Sequence, residues 1–368
     1  MTSKENTVKL LTHNNPERIG IFDHWWPETL TEWVENGYPT IVDDKGNTVP
    51  EAPEKVFDYD LIPIGGAWFN SQPIYDFKEI VEETDEWFVE KNGAGASYKF
   101  WKHKSGTPEH VSFEMSDFSI WEKNYKPYML ELNPKRVDLK EIVKNKEYIS
   151  KNDKFGFYNN IFVFEWLRNA LGDVCMYESM LLEPEWIEDI TNTLFEMYKK
   201  HYTYIYENVG KPDAMWLYED MGYNKGLLCS PNSMRKLIYP MFKKMTSWFK
   251  ENGLDTMLHS CGNITEGIDD FIESGFISLN PMEVKAGCNV VEYAKKYKDK
   301  LAFSGGMDIR IMETNDKDII KKDIVRLCTE MKSMNAMWIF GSDHSISPRV
   351  NYDTYRFILD TVRENMYY

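Results

Sequence analysis

The sequence lacks any run approaching the roughly 18 apolar residues that a membrane-spanning helix requires. Its first nine residues, Met1 to Lys9, carry no apolar core of the kind a secretory signal has. Both absences lead to the expectation of a cytoplasmic protein that does not engage a membrane. Cysteine is scarce: Cys175, Cys229, Cys261, Cys288 and Cys328 are the only five in 368 residues, and none stands in a CxxC spacing. An odd, scattered set argues for reduced thiols and against a disulfide framework, so any cysteine chemistry is metal or thiolate chemistry. Positive charge is also short, with 43 Lys and Arg against 59 Asp and Glu and a net charge of -16. With no basic patch to neutralise phosphates, nucleic acid is not an expected partner. No low-complexity segment or long linker divides the chain, and 42% hydrophobic residues suffice for one large core. A single domain over residues 1–368 is expected, of the size that closed α/β barrels with insertions reach.

The second half repeats one unit five times: a short apolar strand, a polar turn, then a helix. The strands run Ala214 to Tyr218, Thr256 to His259, Phe276 to Asn280, Leu301 to Ser304 and Ala336 to Phe340. Short continuous apolar strands alternating with helices predict a parallel sheet covered on both faces. In a closed barrel the chemistry collects where the strands end. These five end on Glu219/Asp220, His259/Cys261, Glu283, Asp308 and Asp343/His344. The first half is less regular. Residues 18–26 read as the first barrel strand, ending at Asp23-His24, and Pro27 opens a helix bearing Trp33. Residues 97–103 and 110–113 alternate in polarity about Ser105-Gly106-Thr107-Pro108, which predicts a β-hairpin insertion, about 97–113, near the barrel mouth. Residues 155–164 give another strand, and a helix is expected over about 185–208.

The strand ending Leu258-His259-Ser260-Cys261-Gly262-Asn263 is the most informative. His259 and Cys261 lie two residues apart, hence on one face. A neutral imidazole and a thiolate converging from one rigid strand end suit zinc. Trp25, Trp26, Trp68 and Phe69 lie near Asp23 and His24 in sequence or in likely loops, and favour a flat aromatic ligand.

Taken together, several stretches resemble the uroporphyrinogen decarboxylase superfamily from about Arg18 onward. They are Glu219-Asp220-Met221-Gly222 with Leu227-Leu228-Cys229-Ser230-Pro231; Tyr239-Pro240; Leu258 to Asn263; Leu279-Asn280-Pro281-Met282-Glu283 with Gly287; Phe303 to Asp308; and Gly341-Ser342-Asp343-His344. The resemblance implies a (β/α)8 barrel and one of two chemistries. One branch decarboxylates a tetrapyrrole without metal and grips its carboxylates with an arginine-rich N-terminal motif. The equivalent stretch here, residues 21–29, has no arginine, which counts against that branch. The other branch moves methyl groups to or from corrinoid cobalt, with zinc held by a His-x-Cys pair and a later Cys. His259 and Cys261 match the pair, but Ser342 stands where the later Cys is expected. Glu219, His344 and Asp343 are the candidates to complete the shell, with Cys288 weaker.

The resemblance therefore implies a corrinoid-dependent methyltransferase, with an aryl methyl ether as the favoured methyl donor and Zn2+ as Lewis acid. The expected roles are catalysis for Asp23, His24, Glu219 and Asp343; substrate contact for Trp25, Trp26, Trp68, Phe69 and Asp308; and metal binding for His259, Cys261, Glu219 and His344. No Asp-x-His-x-x-Gly stretch is present, so the corrinoid is expected on a separate protein, for which the hairpin is a docking surface or a lid. Two alternatives stand beside this reading: a metal-free decarboxylase of a smaller substrate, and a non-catalytic barrel that binds a tetrapyrrole or a corrinoid protein. The helix near residues 185–208 carries Tyr and Met on more than one face, which leaves a homodimer open.

Overall fold

The computed structural model describes residues 1–43, 45–103 and 106–368. Eight strands form one sheet: β1 (Gly20–Ile21), β2 (Leu61–Pro63), β3 (Phe155–Ile161), β4 (Ala214–Tyr218), β5 (Asp255–His259), β6 (Phe276–Asn280), β7 (Ala302–Ser304) and β8 (Trp338–Phe340). All seven pairings are parallel, β8 lies against β1, and the remaining order is sequential. The seam between β1 and β2 is closed by Asp60. Its N–H donates to the Ile21 carbonyl at 3.0 Å, and its carboxylate accepts the Ile21 N–H at 2.8 Å. Arg18 grips the same carboxylate with two bonds of 2.6 and 2.7 Å. The fold is a (β/α)8 barrel.

The helices after the strands bury one apolar stripe each against the sheet. The longest, Pro184–Val209, buries Ile187, Ile190, Leu194, Tyr198 and Tyr202. The barrel interior is filled by aromatic rings, with Trp216 lying 5.1 Å from Phe22 and 4.9 Å from Phe157 between ring centres. This plug makes the barrel a packed core with a floor, so chemistry is confined to the mouth at the C-terminal strand ends.

Between β2 and β3 the chain inserts a four-stranded antiparallel meander: Lys78–Glu83, Trp87–Asn92, Ala96–Trp101 and Glu109–Phe113. The expected hairpin is its second half, and Ser105 of the expected turn lies outside the described residues. The meander has little core of its own. Phe88 stacks on Phe100 at 5.1 Å, and the Lys99 ammonium sits 4.4 Å from the rings of both Trp87 and Trp101. Among the described residues no helix is long and apolar enough to cross a membrane.

Candidate metal centre at the barrel mouth

Three neighbouring strands place Tyr218, His259 and Asn280 on one rung, because β4, β5 and β6 pair Tyr218 with His259 and His259 with Asn280. The Tyr218 ring stacks on the imidazole at 4.7 Å. Asn280 donates its amide N–H to the Ser304 carbonyl at 2.9 Å, which turns its oxygen toward His259 Nδ1 at 2.5 Å. That bond fixes the tautomer: Nδ1 carries the proton and Nε2 presents its lone pair to the mouth. Burial holds His259 below the ordinary imidazole value, which keeps it neutral.

Two residues further on, the next rung brings Asp220 beside Cys261. The Cys261 N–H donates to Asp220 Oδ1 at 2.9 Å. His259 Nε2 then lies 3.5 Å from Cys261 Sγ and 3.7 Å from Asp220 Oδ1, and the three donor atoms are all within 4.8 Å of one another. Zinc bonded tetrahedrally at about 2.0–2.3 Å keeps its ligands about 3.3–3.8 Å apart. The observed spacings and the N, S, O donor set fit zinc. Burial pushes the Cys261 thiol well above its ordinary value, and the carboxylates of Asp220 and Glu283 add to it; a dication among these groups favours the thiolate instead. All three residues remain partly exposed, so a fourth position faces the mouth. Asn280→Ala is expected to weaken zinc binding about 10- to 100-fold, the usual effect of losing the partner that orients a ligating imidazole; competition with a fluorescent zinc chelator measures it.

The third donor differs from those expected. Glu219 points away from the triad, on the opposite face of its strand from Asp220. It is fully buried, and its carboxylate accepts four consecutive backbone N–H groups, from Phe162, Val163, Phe164 and Glu165, at 2.5, 2.9, 2.7 and 3.1 Å. The helix Phe164–Leu171 has no capping side chain of its own, and Glu219 supplies the cap from the neighbouring strand. Neither oxygen is left for a metal or for proton transfer.

Asp343 is likewise committed, accepting from the N–H groups of Val284 and Ile309, both at 2.7 Å, and tying the loop after β8 to those after β6 and β7. Asp308 caps the short helix Ile309–Met312 and pairs with Arg310 at 2.7 Å, so it is not presented to a substrate. Phe69 is buried against Tyr198, His201 and Tyr202 and also lines a cavity beside Trp68. His344 does not join the donor cluster, and its ring faces Trp26 at 6.0 Å. Cys288 is buried with its thiol against the Gly262 carbonyl. Ser342, in the place of the later Cys, bonds Asp23 and the His344 carbonyl instead.

Besides His259 and Cys261, His24 and Trp68 reach the site. His24 crosses the mouth to lie 5.8 Å from the His259 ring and 3.4 Å from the Tyr218 hydroxyl. Burial and the neighbouring His259 press it down to about 3, so it stays neutral. Trp68, partly exposed, meets the Tyr218 ring at 5.4 Å. Asp23 is buried one residue before His24. Trp25 packs on Tyr59. Beside Trp68, a cavity of about 630 Å³ opens between the barrel mouth and the meander, walled by Tyr98, Phe100, His110, Trp166 and Asn169 among others. Neither His259 nor Cys261 lines it; Trp68 does, and it meets the Tyr218 ring that stacks on His259.

Asp220, Tyr218, Asn280 and the cavity residues other than Trp68 and Phe69 were not anticipated as site residues. The alternation that puts His259 and Cys261 on one face also puts Tyr218 and Asp220 on one face, apart from Glu219; the pairing of β4 with β5 then decides which of those faces meets the donor pair.

The uroporphyrinogen decarboxylase (URO-D) family profile matches residues 177–365, more than half of the 368-residue chain and the part that carries Asp220, His259 and Cys261. The chain belongs to this family. Among solved structures it superposes on a methyltransferase from Methanosarcina mazei with a TM-score of 0.64, at 13% identity and with 99% of both chains covered, a likeness of fold. No curated protein matches the chain.

Proposed function

We propose that this protein is a methyltransferase that moves a methyl group from an aryl methyl ether to the Co(I) corrinoid of a separate protein, with zinc held by Asp220, His259 and Cys261. The observation that carries the reading is the donor triad, spaced for a tetrahedral ion, with the imidazole tautomer fixed from behind. When bound, zinc supplies Lewis acidity at the ether oxygen, which makes that oxygen a better leaving group. The Methanosarcina mazei neighbour, itself a methyltransferase, lends support at the level of the shared barrel.

The chain's own residues do the rest. Trp68 and the aromatic walls of the neighbouring cavity offer flat apolar surface for an aryl ring. An aryl ether is favoured over an alkyl one because phenolate, with a pKa of about 10, leaves more readily than an alkoxide. Burial pushes the Tyr218 hydroxyl up, so it remains a hydrogen-bond donor beside His259. All five cysteines are free, which fits the reducing cytoplasm this reading assumes.

Elemental analysis of the purified protein tests the metal. About one zinc per chain is expected in the wild type and close to none in Cys261→Ala. Transfer from 2-methoxyphenol to reduced cobalamin, followed by its absorbance change, tests the reaction. A wild type that takes up no zinc even when supplied overturns the proposal.

A further inference from the structure

Asp23 sits at the seam where β1 meets β8, 4% exposed. Its Oδ1 lies 2.7 Å from Ser342 Oγ and accepts the His24 N–H at 3.0 Å. Its Oδ2 accepts the Tyr355 hydroxyl at 3.2 Å, and Tyr355 in turn shares a short hydrogen bond with the Tyr59 hydroxyl. The Ser342 N–H approaches both carboxyl oxygens at 3.3 Å. The groups facing Asp23 are thus Tyr59 ahead of β2, Tyr355 on the helix Tyr352–Asn365, Ser342 after β8 and the His24 backbone. None of these bonded groups is a cation.

The protons can be counted. Ser342 Oγ makes a second short contact, to the His344 carbonyl oxygen. A serine hydroxyl has one proton, and a carboxylate and a carbonyl are both acceptors. With Asp23 ionised, one of the two contacts sets lone pairs against lone pairs in a buried place. A proton on Asp23 Oδ1 satisfies every contact at once. Tyr59 then donates to Tyr355, Tyr355 to Asp23 Oδ2, Asp23 Oδ1–H to Ser342, and Ser342 to the His344 carbonyl: one continuous chain of donors running toward the mouth.

We propose that Asp23 is held as a neutral carboxylic acid and, through Ser342, supplies the proton taken up by the oxygen that leaves as the methyl group is transferred. This rests on the methyl-ether reading above. His344 is half-buried and acts electrostatically on His259, so the loop that carries its carbonyl borders the mouth; in this proposal the leaving oxygen displaces that carbonyl as the acceptor of the Ser342 proton. The Ser342 O–H bond breaks as the new phenol O–H forms, and the Asp23 Oδ1–H bond breaks as Ser342 regains a proton. The methyl carbon leaves the ether oxygen with its bonding pair behind and takes the electron pair of Co(I). Asp23 is left as a carboxylate met by the hydroxyls of Ser342 and Tyr355 and the N–H of His24, and solvent restores its proton. Burial raises Asp23 to about 7, with these hydrogen bonds opposing the rise, which puts the acid near the pH at which it can both hold and give a proton. Burial keeps both tyrosines well above the ordinary phenol value, so they stay donors.

Infrared difference spectra of the zinc-loaded protein, wild type minus Asp23→Asn, test the stored proton. At about pH 6 one neutral-carboxyl band is expected, fading as the pH rises through about 7 and shifted in frequency by Ser342→Ala, which keeps the acid but removes its acceptor. Asparagine is isosteric with the neutral acid and preserves the donor to Ser342, so the variant is expected to fold. In transfer from 2-methoxyphenol to reduced cobalamin, both variants are expected to lose about 10²-fold in kcat with little change in KM, and to lose the fall in rate above about pH 7. Absence of the band overturns the proposal whether or not the protein transfers methyl groups. A band with an unchanged kcat and pH profile in Ser342→Ala overturns the relay. A band in a wild type that transfers no methyl group overturns the function reading, and the relay with it, while leaving the stored proton established.

Discussion

Alanine at Glu219 is expected to destabilise the barrel by about 3–5 kcal/mol while glutamine at the same position leaves zinc binding intact. Four amide N–H groups at the start of the helix Phe164–Leu171 have the Glu219 carboxylate as their partner. Each buried donor left unpaired costs about 1–3 kcal/mol, and four at one helix end relax together, so the sum is less than fourfold. Glutamine keeps one oxygen for two or three of the donors but turns an NH2 toward the rest, and a loss of about 2 kcal/mol is expected. Urea denaturation of the two variants measures both effects. Zinc content separates the structural role from a ligand role, because the donors are Asp220, His259 and Cys261. If Glu219→Gln instead abolishes zinc binding with its stability unchanged, Glu219 is a ligand and the cap is incidental.

The contrast between Glu219 and Asp220 shows where the sequence was legible. Strands β4 to β8 were readable because each is a short apolar run closed by a polar turn, and their order followed from the alternation with helices. His259 and Cys261 were readable from period two. Which of two adjacent acids faces inward depended on the register between β4 and β5, and register is a tertiary fact. Asp343 and Asp308 were read as chemistry because they stand at strand ends; both instead hold backbone N–H groups that tight loops leave unpaired. Strand β2 escaped because it is three residues long and ends in Pro63. The meander strand Lys78–Glu83 escaped because every residue in it is exposed, so no alternation of burial marked it. It is held by ion pairs to residues beyond its own strand, such as Lys91 with Glu79 and Lys102 with Glu83, which no local pattern displays.

Alanine at Gly262 is expected to empty the metal centre in a barrel that stays folded. The loops after β4 and β5 carry Asp220 and Cys261, and they are joined backbone to backbone beyond the strand ends. Gly222 N–H donates to the Cys261 carbonyl at 3.2 Å, and Asn263 N–H to the Tyr223 carbonyl at 2.7 Å. Glu283 pins the second loop from the other side, accepting the Gly262 N–H at 2.8 Å. Gly262 has φ of +79°, and a Cβ there would overlap the Gly222 carbonyl and the Tyr223 amide. Those are backbone atoms with no rotamer to yield. The left-handed conformation alone costs alanine about 1–2 kcal/mol, and the overlap forces the two loops apart, carrying Cys261 Sγ away from Asp220. With one of three donors displaced, zinc affinity is expected to fall by more than the roughly 10- to 100-fold that follows loss of an orienting partner. Gly222→Ala is the graded comparison. Its φ is ordinary, and its Cβ would stand 2.7 Å from the Cys261 carbonyl oxygen and 2.8 Å from the Gly262 carbonyl carbon, so a smaller loss in the same direction is expected. Circular dichroism is expected to show the barrel intact in both, since the pairing of Ala214–Tyr218 with Asp255–His259 lies below the loops. Full zinc retention in Gly262→Ala would mean that the two loops can separate without disturbing the triad, and that the strand ends alone position the metal.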